Sequence, residues 1–289
     1  MMTFQLPSDR QVRYFRSSIT PRSEMSAILC PIDLTPASET ALHAAAAIAG
    51  KLKCAVTLLH VVDPKEARDA KILADKEAKL NKLAAEVVNI ASATPMMRIG
   101  DFLKEITAAS AIGHQLLVAC THGPRGLRQS IFGADILKLV RMVKIPSLVV
   151  QEDGRPLGSG KSLVLPVAGH EAIHTLLDSV SMIAREFGLE VHVFQLMRPG
   201  EQPSDQLLKN KLAMLQRMAD DGIACKEVNE PSTTFSIGFA EQTAAYAAKV
   251  DAVCIAIMAV ASDEYRYIAD AEKERMLMNS PRIPVLCAG

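Results

Sequence analysis

The sequence contains no tryptophan, and aromatic residues make up only 4% of its 289 residues. A surface that stacks nucleobases needs several aromatic rings brought together, so a base-stacking nucleic-acid binder is not expected. Net charge is also missing: Lys plus Arg equals Asp plus Glu at 32 each. No long-range attraction to nucleic acid or to an anionic membrane follows from that balance, and any anion site has to be local. The cysteines Cys30, Cys54, Cys120, Cys225, Cys254 and Cys287 form no CxxC pair and show no zinc spacing. Most lie inside apolar runs, where cysteine acts as a small hydrophobe, which fits a reducing cytosol better than a disulfide framework. No apolar run reaches the roughly 18 residues of a membrane span. Residues 1–25 carry Arg10, Arg13, Arg16 and Arg22 without the apolar stretch of a signal peptide. They read as a flexible N-terminal arm, with Met25, just before the first strand, an alternative start.

What is present is material for large cores: 49% of residues are hydrophobic, enough for two medium domains or one large one. One stretch concentrates chemistry. The apolar run Leu116–Ala119 leads into Cys120-Thr121-His122-Gly123-Pro124-Arg125-Gly126-Leu127-Arg128, then Gly133, then a helical pattern at Ile136, Leu137, Leu139, Val140 and Val143. A strand, a glycine-bearing loop and a helix in that order aim backbone N–H groups and a helix N-terminus at an anion. Arg125 and Arg128 add cations suited to phosphate. An ordinary strand-to-helix connection would use the same glycines for its turns alone, and the loop by itself leaves both readings open.

In chain order, Ser26–Asp33 reads as a strand, and Thr35-Pro36 opens an alanine-rich helix that Gly50 closes. Cys54–Val62 is a second strand, residues 65–92 a long amphipathic helix, Thr94–Ile99 a strand and residues 101–112 a helix. Gln115–Thr121 and Pro146–Gln151 supply the fourth and fifth strands, the latter after the glycine loop and its helix. Residues 153–161 form a polar linker. Its Gly160-Lys161-Ser162 ending imitates a P-loop, but Arg155 stands where the first glycine belongs and a strand follows instead of a helix.

The pattern then repeats over residues 162–289, with strands at Ser162–Val167, Leu189–Leu196, Ile223–Val228, Asp251–Met258 and Ile283–Ala288. Helices are expected over residues 171–187, 206–220 and 235–249. Pro31-Ile32 is matched by Pro166-Val167, and Lys144-Ile145-Pro146 by Arg282-Ile283-Pro284. Near-continuous apolar strands alternating with helices predict α/β domains built on parallel sheets covered on both faces. With strand order 3-2-1-4-5, the ligand crevice lies at the C-terminal strand ends between strands one and four. The halves differ there: Ala168 stands at the position of Asp33, and no glycine lies between Met258 and Ala288. Asp263, Glu264, Asp270, Glu272 and Glu274 fill that stretch and are expected to repel phosphate, leaving the second half a scaffold without a phosphate loop.

Three stretches together resemble the universal stress protein family: Ile28-Leu29-Cys30-Pro31-Ile32-Asp33 with its following helix, Leu58-Leu59-His60-Val61-Val62, and Thr121–Gly133 leading into Lys144–Val150. The resemblance is to the tandem type, residues 26–152 forming one domain and 162–289 a degenerate second. It implies two doubly wound five-stranded parallel-sheet domains, adenine-nucleotide-hydrolase-like, paired as an internal pseudo-dimer. It further implies ATP or AMP at the C-terminal edge of the first domain, with Mg²⁺ only where ATP is bound. Asp33 would then face the adenine or ribose, and Val61 the base. Thr121, Gly123, Arg125, Gly126 and Gly133 would form the phosphate side. The family motif G-x2-G-x9-G-[ST] is only partly present: six residues separate Gly126 from Gly133, and Ala134-Asp135 replaces the hydroxyl residue.

The resemblance implies a cytoplasmic stress-response module without a catalytic residue or more than slow hydrolysis, and without nucleic-acid or membrane partners. The alternative is an interaction or homo-oligomerisation scaffold of the same fold that binds no nucleotide. Asp33 can also be read as a cap for the helix at Pro36, and His60 and His122 as structural and solvent-facing histidines. Met96, Met97, Met214, Met218, Met276 and Met278 read as packing residues.

Overall fold

The computed structural model describes residues 26–121, 135–197, 200, 202–232, 238–260 and 266–289. The N-terminal arm and most of the glycine loop lie outside the described residues. The first five strands are β1 (Ala27–Pro31), β2 (Val56–Val62), β3 (Ala93–Ile99), β4 (His114–Thr121) and β5 (Ser147–Gln151). The others are β6 (Ser162–Pro166), β7 (Glu190–Met197), β8 (Cys225–Pro231), β9 (Ala252–Met258) and β10 (Val285–Ala288). They form one ten-stranded sheet in the order β3-β2-β1-β4-β5-β10-β9-β6-β7-β8. Each set of five therefore follows the order 3-2-1-4-5.

The two sets meet edge to edge. β5 and β10 are antiparallel, with Leu148 opposite Leu286, whereas every other described pairing is parallel. Both leucines are fully buried. The two expected five-stranded sheets are thus continuous through a pseudo-dimer junction, and the strands that would otherwise be exposed edges cover each other. Gln151 strengthens the seam: its side chain, 2% exposed, donates to the Asn279 carbonyl at 2.9 Å.

Helices lie on both faces, as continuous apolar strands require. One face carries α1 (Pro36–Leu52), α2 (Ala70–Glu86), α5 (His174–Phe187) and α6 (Asp205–Asp220). The other carries α3 (Phe102–Ser110), α4 (Ile136–Met142), α7 (Phe239–Lys249) and α8 (Arg266–Leu277). Several boundaries move from the sequence expectation for local reasons. α1 runs two residues past Gly50 to Leu52, and its C-cap residue Lys53 sits in the left-handed region. Gly50 is there for space: a Cβ would sit 2.9 Å from the Ile90 carbonyl oxygen. The long helix over residues 65–92 is shorter, because Asp69 accepts from the Lys71 and Ile72 N–H groups and starts α2 anew. The buried Met214, Met218 and Met276 are packing residues.

α8 is the main departure. The acids expected to line an anion-repelling loop belong in part to this helix, which faces its neighbours. Asp270 accepts from Arg141 of α4 through both oxygens, one at 3.1 Å. That guanidinium holds the Asp270 carboxyl below its ordinary range. Glu272, 7% exposed, accepts from the Ala240 N–H at 2.7 Å and neutralises the N-terminus of α7. Asp263 and Glu264 lie outside the described residues.

Five of the six cysteines, all but Cys225, are buried. Burial pushes the Cys120, Cys254 and Cys287 thiols up to about 12, and raises Cys30 as well. Thiolate is the reactive form. A disulfide-based thiol reagent is therefore expected to label at most Cys225 in the native protein and all six after urea unfolding. Fast labelling of two or more native thiols would contradict this burial.

Candidate functional site

The described part of the site is assembled by the pairing of β1 with its two neighbours. β1 pairs with β2 on one side and β4 on the other. Its chain leaves between strands that continue in opposite directions across the sheet, β2 to β3 and β4 to β5. This is the switch point, where parallel sheets open a crevice at their C-terminal ends.

Ile32 extends the β1–β2 pairing by one step, its N–H donating to Leu59 O at 2.8 Å. Its carbonyl accepts from His60 Nδ1 at 2.7 Å. Both polar groups of Ile32 are thus held by β2, and Asp33 follows directly. Asp33 Oδ1 accepts from the Thr35 N–H at 3.0 Å and the Thr35 hydroxyl at 2.6 Å. Leu34 between them sits at φ 63°, a strained conformation for a non-glycine residue that these bonds hold in place. Thr35 is the N-cap residue of α1, without a side-chain cap bond. Asp33 therefore fixes the residue that starts the helix rather than capping the helix itself.

Val61, 8% exposed, is the penultimate residue of β2 and packs on the α3/α4 face. Thr121 ends β4, 1% exposed, and its hydroxyl has no hydrogen-bond partner among the described residues. Strand alternation puts the Thr121 side chain on the same face as Ala119, within the cluster that includes Val61. An orphaned buried hydroxyl at the strand end is the kind of polar group a bound ligand satisfies. Asp33, Val61 and Thr121 thus share one sheet edge.

Residues 25–151 match the sequence profile of the universal stress protein family. Residues 25–151 belong to the universal stress protein family. Over 91% of its length the chain shares its fold with solved structures. A universal stress protein from Archaeoglobus fulgidus is similar at 17% identity and a TM-score of 0.70, covering 91% of this chain and 98% of that one. A protein of unknown function from Pseudomonas aeruginosa PAO1 is 21% identical with a TM-score of 0.61, covering 91% and 92%. None of the curated proteins matches the sequence.

Of the residues expected at the site of this universal stress protein domain, the structure brings together Asp33, Val61 and Thr121. Gly123, Arg125, Gly126 and Gly133 lie outside the described residues, as does His122. Asp135 precedes α4 without a side-chain cap bond. No group of three His, Cys, Asp or Glu side chains suited to a metal is found among the described residues. Nor is any described helix long and apolar enough to cross a membrane.

The matching edge of the second half is tied up by side chains of both halves. Val167 N–H donates to Phe194 O at 2.8 Å, as Ile32 does to Leu59. Ala168 then follows in place of Asp33. Asn210 of α6, 3% exposed, donates to the carbonyls of Ala168 and His170 at 2.6 and 2.7 Å. At the end of β9, Arg141 donates to the Ala259 carbonyl at 3.0 Å, and Lys273 to that of Val260. Burial brings the Lys273 ammonium down to about 8. The roles of Asn210, Arg141 and Lys273 had no signal in the sequence, because each depends on a carbonyl delivered by a distant element.

Proposed function

We propose that this universal stress protein binds an adenine nucleotide, ATP or AMP, at the C-terminal edge of its first five strands. The reading makes it a cytoplasmic stress-response regulatory module. The observation that carries it is the convergence of Asp33, Val61 and the orphaned Thr121 hydroxyl at the β1–β4 switch point. In this reading Asp33 accepts from the ribose or adenine, and Val61 lies against the base. Gly123, Arg125, Gly126 and Gly133 hold the phosphates, with Mg²⁺ present only alongside ATP. No residue is assigned a catalytic role.

Residues 26–152 would be the nucleotide-binding domain, and 162–289 a partner domain without a site. The Asn210 bonds across the β6–α5 connection, with Ala168 in place of Asp33, support an empty second edge.

Calorimetric titration of the full-length protein with ATP and with AMP tests the proposal. Binding is expected, and Asp33→Asn should weaken it about ten- to a hundredfold, the range of a hydrogen bond to a charged group. Gly126→Ala should also weaken it. Unchanged affinity in both variants would contradict the site. The short Gly126–Gly133 spacing favours the second reading, a scaffold for homo-oligomers or other proteins. Absence of binding would support that one.

A further inference from the structure

His60 lies on the opposite sheet face from Val61 and is 3% exposed. Because the Ile32 carbonyl can only accept, Nδ1 carries the ring proton, and Nε2 of the neutral ring presents a lone pair. That lone pair is buried and has no partner among the described residues. Three charged groups face the ring: Asp33 from the β1–α1 connection, Glu66 from the 3-10 turn Glu66–Arg68, and Lys76 from α2. Lys76, with a side chain 19% exposed, is paired with Glu66 at 2.7 Å.

The second half supplies the comparison. The registers Pro31 with Leu59 and Pro166 with Phe194 make Gln195 the counterpart of His60. Lys76 and Lys211 hold the same place in α2 and α6. There, Lys211 donates directly to Gln195 Oε1 at 2.9 Å. The first half has the same lysine over the same position, but with an imidazole beneath it.

We propose that His60 is a positioning residue for Asp33, and that a proton on Nε2 loosens this edge and weakens ligand binding on acidification. The proposal rests on the nucleotide reading of the edge. In the neutral state His60 holds the Ile32 carbonyl, and Lys76 can turn from Glu66 to Nε2 as Lys211 does to Gln195. In the protonated state Nε2–H has no acceptor in place and sits beneath an ammonium. It must draw Glu66 off Lys76, draw Asp33 from the ligand side, or leave its slot and release Ile32. Burial favours the neutral ring. Stability from the neutral form is therefore complete above the ordinary histidine range and is lost as pH falls below it.

The test compares the native full-length protein with His60→Gln and Lys76→Met. It reads the imidazole titration by NMR, urea stability, and ATP and AMP affinity at about pH 7.5 and about pH 5.5. The His60 resonance, identified by its loss in His60→Gln, should titrate below the ordinary range and move upward in Lys76→Met. Native affinity should fall severalfold at most on acidification, the limit for one proton on a group that titrates below the ordinary range. His60→Gln should remove most of that fall, because its side chain accepts from lysine without titrating. An ordinary His60 titration, or equal pH dependence of stability in native and His60→Gln protein, would overturn the positioning role. Absence of nucleotide binding at both pH values would overturn the nucleotide reading, while the titration and stability curves still decide the role of His60.

Discussion

Replacing Phe194 by alanine is expected to lower the unfolding free energy by about 3–5 kcal/mol, the usual cost of emptying a phenylalanine site in a core. Phe194 is 1% exposed in β7, and its ring stacks on Tyr246 of α7 with centroids 4.7 Å apart and an interplanar angle of 23°. The site cannot collapse easily. Tyr246 is anchored by its hydroxyl to His192 Nδ1 at 2.8 Å, and His192 Nε2 is bonded to Glu190 at 2.8 Å. Phe194→Leu keeps most of the volume and should cost about 1 kcal/mol, in the range of milder core exchanges. Urea unfolding followed by circular dichroism separates the two. Similar small losses for both would mean that the β7–α7 packing is wrong.

Glu272→Ala should be the most damaging removal of a surface-type residue, at about 1–3 kcal/mol, the cost of stranding a buried donor. The carboxylate of α8 takes the place of a cap for α7, whose N-cap residue is Gly238 and offers no side chain. The other carboxylate oxygen accepts from Arg275 at 2.7 Å, but Arg275 is half-exposed and loses little when released. Glu272→Gln keeps an acceptor for Ala240 and should recover about half of the loss. Equal stability of the alanine variant and the native protein in urea would show that Ala240 does not depend on Glu272.

The fold was legible because most of its strands announce themselves. β1, β2, β4 and β9 are nearly continuous apolar runs, and only a sheet covered on both faces needs such runs. Asp33, Val61 and Thr121, the candidate site residues that the family resemblance implies, each fall at or near the end of one of those runs. What stayed hidden depends on contacts between distant segments. α8 reads from sequence as a cluster of acids, because the groups that use them, Arg141 and the Ala240 N–H, are 129 and 32 residues away. Gly50 reads as a helix stop, but its role is to let the Ile90 carbonyl approach. His60 carries no sequence mark of its link to Asp33, because the link passes through the carbonyl of Ile32 and exists only in the observed β1–β2 register.

The proposed nucleotide site lies on one edge of a molecule with two copies of the same sheet topology. Counting bound nucleotide per chain tests this most directly, by calorimetric titration of the full-length protein with ATP. One nucleotide per chain, weakened in Asp33→Asn, is the predicted result. Two per chain would show that Asn210 does not close the second edge, and none would contradict the proposed nucleotide site itself.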